Sequence, residues 1–264
     1  GKTRTATFTP TANTDSMAAS ITVAAGSYFD AAGNAGLSGV MSALTVDTMA
    51  PTLTITSSKA SLKVGETTTL TFTASEDITG FEAGDVTVSA GTLSNFGGSG
   101  RTYTATYAPP SGKDGGNAAV SVAASKFTDK AGNNNSTVAN LSPAIAFDTL
   151  APTVSSIAAS GTGITNGAGS LKAGAKVTFT VNTSENVFVA SGTPWLTLSN
   201  DAKAMFSAGS GGKALTFDYT VAATDTNVAD LAVKSVGLNG GTIRDGAGND
   251  LATLPTGGIN PAGA

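Results

Sequence analysis

The chain has 264 residues, a formal net charge of −4, and only 12% charged residues against 40% hydrophobic. It contains no Cys and no His, which excludes disulfides, thiolate chemistry, Cys-based zinc sites and an imidazole general base. The mildly acidic balance offers no basic patch for nucleic acid or an anionic membrane, and the apolar fraction is too high for a disordered chain. No run of 18 apolar residues is present and no charged-then-apolar leader stands at Gly1; the expectation is no membrane insertion and an internal piece of a longer protein.

Thr- and Val-rich runs punctuated by 33 Gly and 9 Pro are the composition of an all-β protein. In chain order, the first run is "KTRTATFTP" at 2–10, then "AASITVAAGSYFDAAGN" at 18–34, then the joint Asp47-Thr48-Met49-Ala50-Pro51-Thr52. Next comes "SLKVGETTTLTFTASEDITGF" at 61–81, followed by "GRTYTATYAPP" at 100–110, "AAVSVAASKFTDKAGN" at 118–133, and a second joint from Asp148 to Thr153. The last part repeats the series with "SLKAGAKVTFTVNTSENVFV" at 170–189, "GKALTFDYTVA" at 212–222 and Asp245-Gly246-Ala247-Gly248-Asn249.

From Asp47 to Asp148 is 101 residues, from Asp30 to Asp129 is 99, and from Asp129 to Asp245 is 116. A period near 100 is the size of an immunoglobulin-like sandwich. The organisation predicted is tandem Greek-key immunoglobulin-like β-sandwiches arranged end to end. Residues 1–47 read as the C-terminal half of a repeat (its strands E to G), 48–148 as a complete repeat, and 149–264 as a repeat with a weak or missing last strand. In 48–148 the alternation predicts strands near 52–57, 67–74 and 85–90, a short one near 92–96, and others near 101–108, 118–126 and 137–147. Leu70, Phe72, Tyr103, Tyr107, Val120 and Val122 then point inward, as do Val177, Phe179, Val181, Leu215, Phe217 and Tyr219 in the last repeat. Trp195 is assigned to core filling.

Up-and-down alternation of seven strands places alternate loops at one pole. Asp47, Glu76, Asp77 and Asp129 are expected to converge there, with Asp15 facing them. At the next joint Asp148, Glu185 and Asp245 gather, with Asp114. Clustered carboxylates repel unless a cation sits among them, and loop oxygens suit Ca²⁺. The plain alternative is turn chemistry: Asp makes an Asx-turn, Gly and Asn tolerate positive φ, and Pro favours an extended linker.

The stretches "VDTMAPTLTI" and "FDTLAPTVSSI", the Ser-Glu-Asp-Ile-Thr-Gly-Phe stretch at 75–81 and the Asp-x-Ala-Gly-Asn turns resemble tandem bacterial Ig-like repeats. These occur in large surface adhesins and biofilm proteins of Gram-negative bacteria, many exported by type I secretion. The resemblance implies an extracellular, cell-surface stalk stiffened by Ca²⁺ at its junctions; with the carboxylate pairs at junction loops and no nucleophile-base arrangement in the sequence, no enzymatic activity is expected. Its partners would be neighbouring repeats of the same protein or other copies of the chain. The metal role carries to Asp47, Glu76, Asp129, Asp148, Glu185 and Asp245. Two other readings stand beside it: a self-assembling filament or matrix subunit completed by strand exchange, and a glycan-binding module using Tyr28, Tyr103, Tyr107 or Trp195.

Overall fold

The structure, a computed structural model, describes residues 2–15, 17–41, 43–167 and 169–252. It is all-β apart from one 3₁₀ turn, Ala83–Asp85. No helix among the described residues is long and apolar enough to cross a membrane. The chain divides into two compact units: Gly1–Ala60, Thr68–Ala108 and Ala118–Ala144 form one, and Ser61–Thr67, Pro109–Asn117 and Ile145–Ala264 the other.

In the first unit, one sheet runs in the order Thr92–Ser99, Thr102–Ala108, Thr68–Ala74, Leu53–Ser57. A second runs Ala139–Asn140, Val120–Val122, Val86–Val88. Thr68–Ala74 alternates: Thr69 and Thr73 are exposed and Thr71 half-buried while Leu70 and Phe72 are fully buried, as period-two geometry demands. Edge-on ring contacts tie Phe72 and Tyr103 from one sheet to Phe127 beside the other, through Phe81 at 5.2–5.5 Å. This is the Greek-key arrangement of an immunoglobulin-like sandwich.

Three expectations need correction here. The short strand near 92–96 is the eight-residue Thr92–Ser99. A bulge between Ser94 and Gly97, with Asn95 at φ 51°, lets it continue past Phe96. The run at 137–147 breaks into Ala139–Asn140 and Ile145–Phe147, because Pro143 has no N–H to give a ladder. The run at 2–10 is not a strand. Its counterpart Thr102–Ala108 is held by Thr68–Ala74, and residues 2–47 contain no equivalent of that partner. Their strands are short: Met17–Ala19 with Leu44–Val46, and Thr22–Val23 with Gly39–Val40.

In the second unit a continuous antiparallel sheet runs Val154–Ser160, Lys176–Ala190, Gly212–Thr220, Lys203–Ala208, Trp195–Leu198, Val233–Gly237. Thr242–Arg244 pairs with the far end of Lys176–Ala190, beyond a bulge between Asn182 and Val187. The core holds Ile157, Phe179, Leu196, Leu215, Phe217 and Ile243. Trp195 is a further correction. Leu196 and Leu198 take the inner face, so Trp195 falls on the outer one, half-buried, with the Lys203 ammonium 3.7 Å from its ring centroid. The expected weak last strand begins at a segment whose residues from 253 onward lie outside the described ones.

Two candidate cation sites

The Asp-x-Ala-Gly-Asn turn is built the same way three times. In the second copy, Asn133 donates its main-chain N–H to Asp129 Oδ1 (2.9 Å) and its Nδ2 to Asp129 Oδ2 (2.8 Å). Asn34 does the same to Asp30 at 2.8 and 2.8 Å, and Asn249 to Asp245 at 2.8 and 2.7 Å. The turn needs a left-handed residue, supplied by Gly132 at φ 93°. Asp129 is 2% exposed. Burial is the largest influence on its carboxyl and pushes it up, but the Asn133 side-chain and main-chain bonds, with those from Gly132 and Ala131, together hold it below the usual range.

Two of these turns also hold a joint. Asn133 Nδ2 donates to the carbonyl of Asp47 (3.2 Å), and Asn249 Nδ2 to that of Asp148 (3.2 Å). The Thr after each joint Asp fastens the loop from residues 9–15 or 108–114. Thr48 Oγ1 donates to Thr11 O (2.8 Å) and accepts from Thr14 N (3.0 Å). Thr149 Oγ1 donates to Pro110 O (2.6 Å) and accepts from Lys113 N (3.1 Å). The Ser of each Ser-Glu element closes the other side, Ser75 Oγ accepting from Thr52 N (2.9 Å) and Ser184 Oγ from Thr153 N (3.0 Å).

This scaffolding brings acids together. Carboxylate oxygens of Asp47, Glu76 and Asp129 lie within 4.8 Å of one another in the first unit, and those of Asp114, Asp148 and Glu185 do so in the second. The crowding is felt electrostatically. Glu76 is pushed above its ordinary range by burial first, then by Asp129, Asp47 and Asp15, with Arg101 opposing. Glu185 is raised by burial, then Asp245, Asp148 and Asp114, with Lys213 opposing. Asp245 thus stands next to the second cluster without belonging to its closest group. Asp77 lies outside the first cluster: Lys130 Nζ sits 2.8 Å from its carboxylate and holds its pKa down.

The clustered ligand atoms are carboxylate oxygens, which fit a hard divalent ion. Sequence reasoning missed the joint threonines and the second task of Asn133 and Asn249. Their signal was present, since Thr48 and Thr149 each follow the joint Asp.

Sandwich topology and duplicated joints define an immunoglobulin-like repeat protein. The model of the bacterial Ig-like domain matches residues 1–46 and 47–145, more than half of the chain, and the chain belongs to that family. No curated protein matches it. Among solved structures, FdeC, an Escherichia coli adhesin, is 16% identical with a TM-score of 0.34, covering 81% of this chain and 64% of that one. An I-band fragment of titin is 12% identical with a TM-score of 0.28, covering 76% and 65%. The Yersinia pseudotuberculosis adhesin InvE is 15% identical with a TM-score of 0.24, covering 80% and 58%. The chain therefore spans less than two thirds of each of these structures.

Proposed function

We propose that the chain is a structural segment of an extracellular, surface-exposed bacterial adhesin, a non-enzymatic stalk whose joints are stiffened by Ca²⁺. One observation carries this reading: a group of three carboxylates is assembled at each of two Asp-Thr joints, both held by the same asparagine hydrogen bond, at a spacing of one repeat. Three carboxylates this close repel one another. A cation among them would turn that repulsion into a tie between the loop before the joint and the repeat after it. Asp47, Glu76 and Asp129 would hold one ion, and Asp148, Glu185 and Asp114, supported by Asp245, the other. Melting and small-angle scattering in EDTA and in millimolar Ca²⁺ test it. A higher Tm with a longer, stiffer particle is expected, and an unchanged melt and scattering curve would return the acids to plain turn chemistry.

A second reading is favoured by the apolar surface of residues 2–47, where Tyr28, Phe29, Leu37 and Val40 are more than half exposed. In it, the chain is a filament or matrix subunit in which strand exchange with other copies covers that surface. The particle mass in the same scattering experiment separates the two: concentration-dependent growth supports the filament, and a constant monomer mass rules it out.

A further inference from the structure

The outward side of the four-stranded sheet in residues 48–148 is made of one residue type. Thr54 and Thr56 stand outward on Leu53–Ser57, Thr69, Thr71 and Thr73 on Thr68–Ala74, and Thr102, Thr104 and Thr106 on Thr102–Ala108. Ile55, Leu70, Phe72, Tyr103 and Ala105, which alternate with them, are buried. Strand register sets the threonines in rows. Thr54, Thr73 and Thr102 form one, Thr56, Thr71 and Thr104 the next, and Thr69 and Thr106 a third. On the flanking strand Ser99 and Ser94 prolong the first and third rows. All eight outward positions on these three adjacent strands are threonine, so no charged or aromatic side chain interrupts the grid.

β-propensity alone admits Thr on a solvated face, but the matching strands of the last repeat show what such a face carries otherwise. Lys176 and Asp218 stand among its threonines, Thr178 Oγ1 donates to Asp218 Oδ1 at 2.7 Å, and Thr216 Oγ1 shares a hydrogen bond with Ser207 Oγ at 3.0 Å. In the grid only Thr106 has such a partner, Asn95 Nδ2 at 3.3 Å. Among the described residues, the other seven hydroxyls bond to no protein group.

Each threonine sets a hydroxyl, with one donor and two acceptor sites, beside a methyl group. Repeated about every 4.8 Å across strands and about every 6.7 Å along them, these groups lie close to the oxygen spacings on the prism faces of ice. Water over the methyls is already restricted in orientation, and the free hydroxyls fix its position. A charged group would have to shed its hydration to meet a crystal that excludes ions, and the grid holds none. It also has no ring on which the face of a sugar could stack.

We propose that the threonine grid of residues 48–148 binds the surface of ice. Strand twist restricts the match to a few neighbouring lattice positions, so the grid holds and shapes small crystals instead of preventing freezing. Thr3, Thr5 and Thr7 occupy the places of Thr102, Thr104 and Thr106, 99 positions earlier, and tandem repetition multiplies weak contacts of this kind. None of the grid residues belongs to either acid cluster, and the proposal does not rest on the stalk reading.

The test follows crystal shape and ice recrystallisation with the full chain, in EDTA and again in Ca²⁺. Faceted crystals and slowed recrystallisation are expected in both. Thr71→Lys combined with Thr104→Lys, at the centre of the grid, should raise the protein concentration required by at least about tenfold. Thr104→Tyr, a strand-favouring residue that stands up from the grid, should weaken the effect in the same direction and covers the case of a double variant that does not fold. Thr216→Lys, on the matching strand of the last repeat, should leave it unchanged. A parent chain that recrystallises like albumin at equal concentration, or folded grid variants as active as the parent, would overturn the proposal. So would a chain that sediments with crystalline chitin and leaves ice unshaped.

Discussion

Residues 18–36 and 117–135 are one pattern at two levels of burial. Ile21, Val23 and Tyr28 are 42%, 47% and 53% exposed, while Val120, Val122 and Phe127, 99 positions on, are 1%, 0% and 2% exposed. The hydrogen bonds barely differ: Gly26 N–H to Gly36 O is 2.8 Å and Ser125 N–H to Asn135 O is 2.8 Å. The Asx turns at Asp30 and Asp129 match within 0.1 Å. Local chemistry therefore builds the turn wherever the motif occurs. Burial requires the strands at 53–88, which residues 2–47 do not contain, and in the buried copy the motif also holds a joint and joins an acid cluster.

The sharpest way to break this comparison is to remove one ring from each copy. Phe127→Ala should cost about 3–5 kcal/mol, because it opens a cavity among Phe81 and its neighbours. Tyr28→Ala should stay within about 0.5 kcal/mol. Urea unfolding of both variants reads the difference, and similar costs would mean that Tyr28 is covered in solution.

A second comparison concerns the metal. Saturating Ca²⁺ should stabilise by about 2.7 kcal/mol at a hundredfold excess over Kd. Asp129→Ala should lose the contribution of the first site, whereas Asp30→Ala, with the same turn but outside both acid clusters, should leave the whole response. A calcium titration followed by melting distinguishes them. Thr149→Val tests the joint without touching an acid. Thr149 is 9% exposed and its hydroxyl makes two bonds, so a loss of about 1–2 kcal/mol is expected in EDTA.

The pH profile separates the two kinds of acid. Glu76 and Glu185 have raised folded-state values, so they bind protons more tightly folded than unfolded. Their effect is to reduce stability as pH climbs from the ordinary Glu range through those raised values. Asp129 is held low; its stabilisation is present above the ordinary Asp range and fades as pH falls through its depressed value. Metal-free melts between about pH 3 and 7 should therefore rise to a maximum and decline, and Ca²⁺ should flatten the decline. The smallest effect is expected at Asp77→Ala, which removes only an exposed partner of Lys130 and should leave the calcium midpoint where it was.

Much of this was legible in the sequence, for a physical reason. Alternation along Thr68–Ala74 and Thr102–Ala108 is dictated by one buried face, so Leu70, Phe72, Tyr103 and Tyr107 could be placed inward without coordinates. The convergence of Asp47, Glu76 and Asp129 followed from strand parity and loop position. Trp195 could not be placed by size alone, because its face depends on which neighbours the strand buries. Asp77 was grouped with the acids because parity locates a loop and not the direction of a side chain, which Lys130 decides. The joint threonines and the two-sided asparagines escaped notice because their bonds reach main-chain atoms, and main-chain atoms leave no trace in composition.

The position of those bonds has a consequence for how such a chain can change. Everything a joint needs, from the loop before it to the turn that clamps it, is encoded in the same order within about one period on either side. An in-frame duplication or loss of a whole period therefore hands each new boundary a complete set of acids, hydroxyls and amides. Length can drift freely while every joint keeps its acids, its threonine hydroxyl and its asparagine, whereas a gain or loss of half a period would leave an Asp-Thr step with no asparagine to hold it.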